Sequence, residues 1–258
     1  MSDVVLVCMP FGPAFSPSLG LSLLRSELSR HDIASDVFYP SIRFAEIIGP
    51  HVYNGVAVEG RPSQIEMAGE WIFSAALFDR PLRDDDPYVD DVLVGHANWA
   101  HRFAARTVSP ALIRRIREAR RDVPAFLQWC VERILERRPR VVGFTSVFQQ
   151  HVASLAAARL LKQAAPDVVI VFGGANCEGA MGAETVRQFP FVDAAVSGEG
   201  EIVLPDVPLR FSDSPAEISR LPPRLGEHGR EILGEIGLSP QEIDALAASR
   251  ALILPAGD

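Results

Sequence analysis

The chain has few cysteines and fewer basic than acidic residues, and each of these features excludes some classes of binding site. Its three cysteines, Cys8, Cys130 and Cys177, are widely spaced and odd in number, which fits neither a disulfide framework nor a clustered zinc site. We therefore expect the protein in a reducing cytoplasm. The formal net charge of -8 repels phosphate backbones, so we do not expect nucleic acid as a partner.

Long apolar runs are also absent from the sequence. None is long enough to span a bilayer, and the N-terminus Met1-Ser2-Asp3-Val4 lacks the basic region of a signal peptide, so membrane insertion and export are not expected. The chain does contain 48% hydrophobic and 22% charged residues over 258 positions. This balance predicts a folded core that needs no disulfide or metal to hold it together.

Short apolar runs bounded by turn residues predict buried strands. These runs are Val4–Met9, Ala34–Tyr39, Val141–Thr145, Val168–Phe172 and Val192–Ser197. Two segments between them, Leu19–Ser29 and Val152–Ala165, have the spacing of amphipathic helices. The alternation predicts an α/β protein with a parallel five-stranded sheet, flavodoxin-like (Rossmann-like), in the strand order 2-1-3-4-5.

A long helical insertion is predicted between the second and third strands, over about residues 41–139, because an ordinary crossover is much shorter. Its helices are expected at about Gln64–Phe78, Asp90–Arg106, Ser109–Arg121 and Ala125–Arg138. The acidic run Asp84-Asp85-Asp86-Pro87 between them is expected to form a solvated turn.

The composition changes after Asp206, which predicts a boundary between a domain of residues 1–206 and a tail of residues 207–258. Two short helices are predicted in this tail, Gly229–Ile236 and Pro240–Ala248. Ser239, followed by Pro240 and Glu242, has the pattern of an N-cap, a first-turn proline and a capping box.

The loops after strands one, three, four and five are the expected binding region, since ligands of such sheets bind beyond the carboxyl ends of the strands. Glycines there let a ligand approach the backbone, while hydroxyl, amide and backbone groups offer hydrogen bonds. The candidate binding residues are Pro10, Phe11, Thr145, Ser146, Phe148, Gln149, Gly173, Gly174, Ala175, Asn176, Ser197, Gly198, Glu199 and Gly200. Tight turns without a ligand remain an alternative, because no G-x-G-x-x-G motif follows the first strand.

Several segments share one resemblance. They are Gly143-Phe144-Thr145-Ser146, Phe148-Gln149-Gln150, Phe172–Gly179, Met181-Gly182, Ser197-Gly198-Glu199-Gly200-Glu201, Met9-Pro10-Phe11, Arg43-Phe44-Ala45-Glu46 and Gly69–Phe78. They resemble the N-terminal cobalamin-binding region of B12-dependent radical SAM enzymes, and most of all the C-methyltransferases of RiPP maturation. The likeness covers about residues 4–205.

The resemblance implies a corrinoid across the strand ends, with its nucleotide tail toward Ser146 and Gly173-Gly174. Cobalamin-binding domains that hold cobalt through histidine carry D-x-H-x-x-G after strand one, whereas the loop from Met9 to Gly20 contains no histidine. Base-off cobalamin without a histidine ligand is therefore implied. A separate radical SAM protein and a precursor peptide are the partners that the resemblance implies.

The radical SAM half of such enzymes has no counterpart in this sequence. Their [4Fe-4S] cluster is held by three clustered cysteines, typically C-x3-C-x2-C, and Cys8, Cys130 and Cys177 do not have this spacing. We expect no iron-sulfur cluster, no catalytic residue and no activity of this chain alone. A cofactor face left uncovered by a catalytic domain also favours association into a homo-oligomer.

The tail carries a second resemblance. Val207–Ser212, Pro223–His228 and Leu238–Ala247 look like the C-terminal end of family III (CaiB/BaiF) CoA-transferases. The catalytic aspartate and the CoA-binding regions of that family have no match here. Three functions stay open: a cobalamin-binding module, a CoA-transferase remnant, and a generic nucleotide- or protein-binding α/β domain.

Overall fold

The computed structural model describes residues 2–57, 66–83, 86–94, 108–198, 229–235, 237–249 and 252. The contacts divide the chain into two compact units, Met1–Pro205 and Asp206–Asp258. Across the described residues, no helix is long and apolar enough to cross a membrane.

A five-stranded parallel sheet forms the centre of the first unit. Its strands are β1 (Val4–Cys8), β2 (Ser35–Phe38), β3 (Val141–Thr145), β4 (Val169–Gly173) and β5 (Ala194–Ala195). Their order, β2-β1-β3-β4-β5, confirms the predicted flavodoxin-like fold. β5 is shorter than the predicted Val192–Ser197 because only Ala194 and Ala195 pair with β4, opposite Val171 and Phe172. The chain then turns at Gly198, which has a φ of 91° and donates its N–H to Glu178.

Seven helices are described in this unit. They are α1 (Leu19–Arg30), α2 (Pro40–Ile48), α3 (Pro50–Ala57), α4 (Ala68–Leu77), α5 (Pro110–Leu135), α6 (His151–Ala164) and α7 (Ala180–Gln188). α1 begins at an N-cap, since the Ser18 hydroxyl accepts from the Leu21 N–H. The sequence patterns do not predict α2 and α3, and of the expected helix Asp90–Arg106 the described residues contain only part of a π-helical turn, Tyr88–Leu93.

α5 runs unbroken through the region where the sequence predicts two helices with a break near Pro124. Proline inside a helix costs about 3 kcal/mol because it removes a hydrogen bond and crowds the preceding turn. Buried residues on both sides of Pro124, including Ile116 and Val123 before it and Leu127 after it, stay on one packed face. Burial of this face offsets the proline, so the two-helix prediction is wrong.

Asp86 is not part of a solvated turn. Its carboxylate accepts from Arg120 Nη1 at 2.9 Å and from Trp71 Nε1 at 3.3 Å. The Arg120 guanidinium is 7% exposed and lies 3.8 Å from the centroid of the Trp71 ring. The prediction of a solvated turn is therefore wrong for Asp86, which forms an ion pair with a buried arginine. Asp84 and Asp85 lie outside the described residues.

The described side chains cover the two faces of the sheet unequally. Val5 and Val7 of β1, with Phe144 of β3 and Phe172 of β4, belong to the large core that also contains side chains of α2 to α6. The alternate residues of β1, Leu6 and Cys8, pack with Leu21 of α1 on the opposite face. On the β3–β4 half of that opposite face, Val141, Val169 and Val171 belong to neither cluster of the described residues, and Val169 is 42% exposed. We call this half the open face.

The second unit contains two described helices, α8 (Gly229–Glu235) and α9 (Pro240–Ala248). The Ser239 hydroxyl accepts from the Glu242 N–H, and the Glu242 carboxylate accepts from the Ser239 N–H at 2.8 Å. This confirms the predicted capping box. Arg230 of α8 pairs with Asp244 of α9 at 2.8 Å.

Candidate functional site

The carboxyl ends of β1, β3 and β4 lie side by side in the sheet. Cys8 pairs in register with Thr145, and Thr145 pairs with Gly173. The loops after these strands therefore start from one edge, which we call the carboxyl edge. Most of the candidate binding residues lie in these loops, but their side chains do not all face outward.

Pro10 and Phe11 lie beneath the carboxyl edge. Both are buried, and the Phe11 ring packs on Phe44, Tyr53 and Phe73 at centroid distances of 5.8, 5.1 and 6.3 Å. The Tyr53 hydroxyl donates to the Gly12 carbonyl oxygen at 2.6 Å. The loop after β1 is thus fixed from below by aromatic side chains of the insertion.

Gln149 is also directed inward, and its side chain is a structural link. It is 1% exposed, its Nε2 donates to the Val56 carbonyl at 2.9 Å, and its Oε1 accepts from the Gly69 N–H at 2.6 Å. The neighbouring Gln150 donates to the Met9 carbonyl at 2.6 Å. These two amides join the loop after β3 to the insertion and to β1, and both use their polar atoms within the protein.

A chain of hydrogen bonds links the loop after β3 to α7 through the His151 ring. The Thr185 hydroxyl donates to the Met181 carbonyl at 2.9 Å, so it can only accept from His151 Nε2, 3.4 Å away. This assigns the ring proton to Nε2 and makes Nδ1 the acceptor for the Ser146 hydroxyl at 2.8 Å. Burial lowers the pKa of His151, which favours the same neutral ring.

Phe148, another candidate binding residue, faces outward. Its side chain is 62% exposed, although the backbone has a φ of 49°. This left-handed conformation is rare for a bulky residue and is strained. Asn176 Nδ2 donates to the Phe148 carbonyl at 2.8 Å and to the Ser146 hydroxyl at 3.1 Å.

Gly173 ends β4 and Gly174 follows it, and the structural reason for glycine differs between the two positions. At Gly174 the φ is 99° and an added Cβ would lie 2.7 Å from the Ser146 carbonyl oxygen, so the fold itself requires glycine. At Gly173 an added Cβ would meet only Val196 Cβ, at 3.9 Å. A contact at this distance is ordinary, so the described part of the fold does not itself require glycine at Gly173.

The loops after β4 and β5 are held together by Glu178. Its carboxylate accepts from the Gly198 N–H at 3.1 Å, and the Ser197 hydroxyl accepts from the Gly179 N–H at 2.7 Å. Ser197 and Gly198 are exposed, as are Gly174 and Ala175. Glu199 and Gly200, the remaining candidates, lie outside the described residues.

Glu70 lies on α4 of the insertion and supports the carboxyl edge. No sequence pattern singled it out as a site residue. Its carboxylate accepts from the His151 N–H at 3.0 Å and from the Val152 N–H at 2.6 Å, so it caps α6 from α4. Burial raises the pKa of Glu70 to about 7, although both hydrogen bonds lower it. Only the packing of α4 beside α6 could reveal this cap.

Cys177 is buried under its turn and is not presented at the edge. Burial, with a smaller contribution from the charge of Glu178, raises the pKa of its thiol to about 11. The thiol is therefore protonated at neutral pH and is a poor nucleophile or metal ligand. Among the described residues, no group of three or more histidine, cysteine or acidic side chains could hold a metal ion.

Comparison with known proteins gives one match. Residues 97–207 match the family model of the B12 binding domain. No curated protein and no solved structure matches the chain significantly. The matched range includes β3, β4 and β5, and the comparison supports a cobalamin-binding region within it.

Proposed function

We propose that this chain is the cobalamin-binding module of a B12-dependent radical SAM system that methylates peptides. The match of residues 97–207 to the B12 binding domain carries this proposal. The methyltransferase context and the peptide substrate rest on the sequence resemblance. In this proposal the residues described here bind and orient the cofactor, and the radical SAM part of the system performs the chemistry on the peptide.

The lack of a side chain at Gly173 supports this proposal. A nucleotide tail needs a slot that its flat base can enter, and Gly173 has no side chain to close one. Thr145, paired with Gly173 in register, is half-buried, and its hydroxyl forms no side-chain hydrogen bond with the described part of the chain. We propose that the tail enters beside Gly173 and follows the open face, past Val171.

The rest of the corrinoid would lie over the exposed residues of the carboxyl edge, which include Phe148, Gly174, Ala175 and Ser197. The cofactor supplies cobalt, which can carry a methyl group. The loop after β1 has no histidine, so we propose a base-off form without a histidine ligand. The neutral His151 ring is already hydrogen-bonded on both nitrogens, which makes it an unsuitable cobalt ligand.

The test is retention of hydroxocobalamin under reducing, anaerobic conditions. The full chain is mixed with the corrinoid and desalted, and the visible spectrum of the protein fraction is recorded. Gly173→Val places a branched side chain in the proposed slot, and its Cβ would make only an ordinary contact of 3.9 Å with Val196 Cβ. We expect at least a tenfold weaker affinity, on the scale of about 1.4 kcal/mol. Gly174→Val is unsuitable because it would strain the backbone and disturb the fold.

Val169→Phe is the matched control. It adds bulk on the same open face at the opposite end of β4, and Val169 is already 42% exposed. We expect it to retain the corrinoid. A folded wild-type chain that retains no corrinoid would overturn the proposal, and retention of CoA or a nucleotide instead would favour the other functions. Equal losses in both variants would overturn the assignment of the slot to Gly173.

A further inference from the structure

Asn176 binds the loop after β3 at three points. Its backbone N–H donates to the Ser146 carbonyl at 3.1 Å, and its side-chain Nδ2 donates to the Ser146 hydroxyl and to the Phe148 carbonyl. The Phe148 carbonyl can only accept, so the orientation of the amide is fixed with nitrogen toward the loop. The remaining atom, Oδ1, takes part in no hydrogen bond with the described part of the chain.

The loop that Asn176 holds contains a residue in an unfavourable conformation. Phe148 has a φ of 49° and exposes 62% of its surface, so neither the backbone nor burial of the ring favours this arrangement. A strained residue persists only where its surroundings impose it, and such residues cluster at ligand sites. Gln149 and Gln150 anchor the residues that follow Phe148, and the hydrogen bond from Asn176 Nδ2 fixes the Phe148 carbonyl itself.

We infer that Asn176 is a positioning residue, which holds the Phe148 ring outward at the carboxyl edge so that the ring packs against the corrinoid. This rests on the proposed function. Asn176 acts through the N–H groups of its side chain, and Phe148 makes the contact. The sequence suggested instead that both residues bind the cofactor directly.

The roles of the two Asn176 side-chain atoms can be separated by substitution. Asn176→Asp keeps the size and an outward oxygen but loses both N–H donors, whereas Asn176→Ala loses both functions. We expect the two variants to weaken hydroxocobalamin binding alike, by about tenfold. If Asn176 instead contacts the cofactor through Oδ1, the Asp variant keeps its affinity, and this result would overturn the inference.

A double-mutant cycle tests whether Asn176 acts through Phe148. We expect Phe148→Ala to weaken binding by about as much as Asn176→Ala, and the double variant to bind no more weakly than either single variant. Additive losses would show that the two residues act independently and would overturn the inference. Circular dichroism of each variant establishes that the protein has folded.

The strain has a readout that needs no ligand. Glycine adopts a positive φ at no steric cost, so Phe148→Gly should raise the melting temperature above that of Phe148→Ala by a few degrees, while both lose the ring and bind corrinoid weakly. Equal melting temperatures would overturn the strain part of the inference even if the wild-type chain binds no corrinoid. Failure of the proposed function and failure of this inference are thus distinguishable.

Discussion

Glu70 offers a test in which two opposing effects act on one carboxylate. It lies on α4 and accepts two backbone N–H groups from the first turn of α6, with its oxygens 3.0 and 2.6 Å from the nitrogens of His151 and Val152. These bonds and the helix dipole favour the ionised form, whereas burial disfavours it. Burial is the larger effect, and it raises the pKa from 4.5 to about 7.

The sign of the consequence for stability follows from proton binding. Between about pH 4.5 and about pH 7 the folded protein binds a proton at Glu70 that the unfolded chain has released. The stabilisation is therefore fully present below about pH 4.5 and is lost as the pH rises through about 7. At about 1.4 kcal/mol for each pKa unit, the loss amounts to about 3 kcal/mol.

Glu70→Gln isolates this contribution because glutamine resembles the protonated carboxyl and does not titrate. We expect the free energy of unfolding of the variant, relative to the wild type, to rise by about 3 kcal/mol between about pH 5 and about pH 8. The titration of the His151 ring is common to both proteins and cancels in the difference. Urea unfolding at several pH values measures it.

A difference in the free energy of unfolding that stays constant with pH would refute the reasoning. A variant that becomes less stable than the wild type as the pH rises would show that the pKa shift has the opposite sign. The second result would mean that the two N–H donors outweigh the cost of burial. Glu70 would then be an ordinary charged helix cap, for which loss costs about 1 kcal/mol.

Three further predictions follow from the insertion and the buried thiol. Asp86→Ala should lower the free energy of unfolding by about 3 kcal/mol because it leaves the Arg120 cation buried without its partner. Arg120→Met should lower it less, because the variant buries an apolar side chain and leaves a carboxylate that is partly exposed. Urea unfolding of the two variants measures the difference. Pro124→Ala should raise the stability by about 2 kcal/mol, since it removes the cost of about 3 kcal/mol of a proline inside α5 but loses about 1 kcal/mol from proline's restriction of the unfolded chain. A loss of stability in thermal unfolding would contradict this. Cys177, with a pKa of about 11, should resist alkylation by iodoacetamide at about pH 8 until urea unfolds the protein, and rapid labelling of the folded chain would contradict the burial seen here.

The central strands could be predicted because strands buried on both faces are continuous apolar runs. β3 has the predicted bounds, and β1 differs by one residue at its end. The alternation of strands and helices then restricts the topology to a few parallel arrangements. β5 was harder to predict because an edge strand pairs only as far as its neighbour and its turn allow, and the turn here is set by Glu178 from another loop.

The insertion was predicted less well because its helices are stabilised by packing rather than by local preference. Pro124 is a helix breaker by itself, yet it lies within one continuous helix whose buried side packs against the rest of the core. Asp86 belongs to an acidic run, yet it pairs with a cation 34 residues away in the sequence. Neither partner can be read from neighbouring residues.

By itself the sequence determined which loops meet at one edge, since parallel strands in a known order bring their carboxyl ends together. It also determined that this edge is rich in glycine and lacks histidine in the loop after β1. Only the tertiary structure decided which side chains face a ligand. Phe11 and Gln149 turn inward because their partners come from the insertion, whereas Phe148 faces outward because Asn176 holds its backbone from another loop. These orientations depend on contacts between residues far apart in the chain, and local sequence patterns carry no information about such contacts.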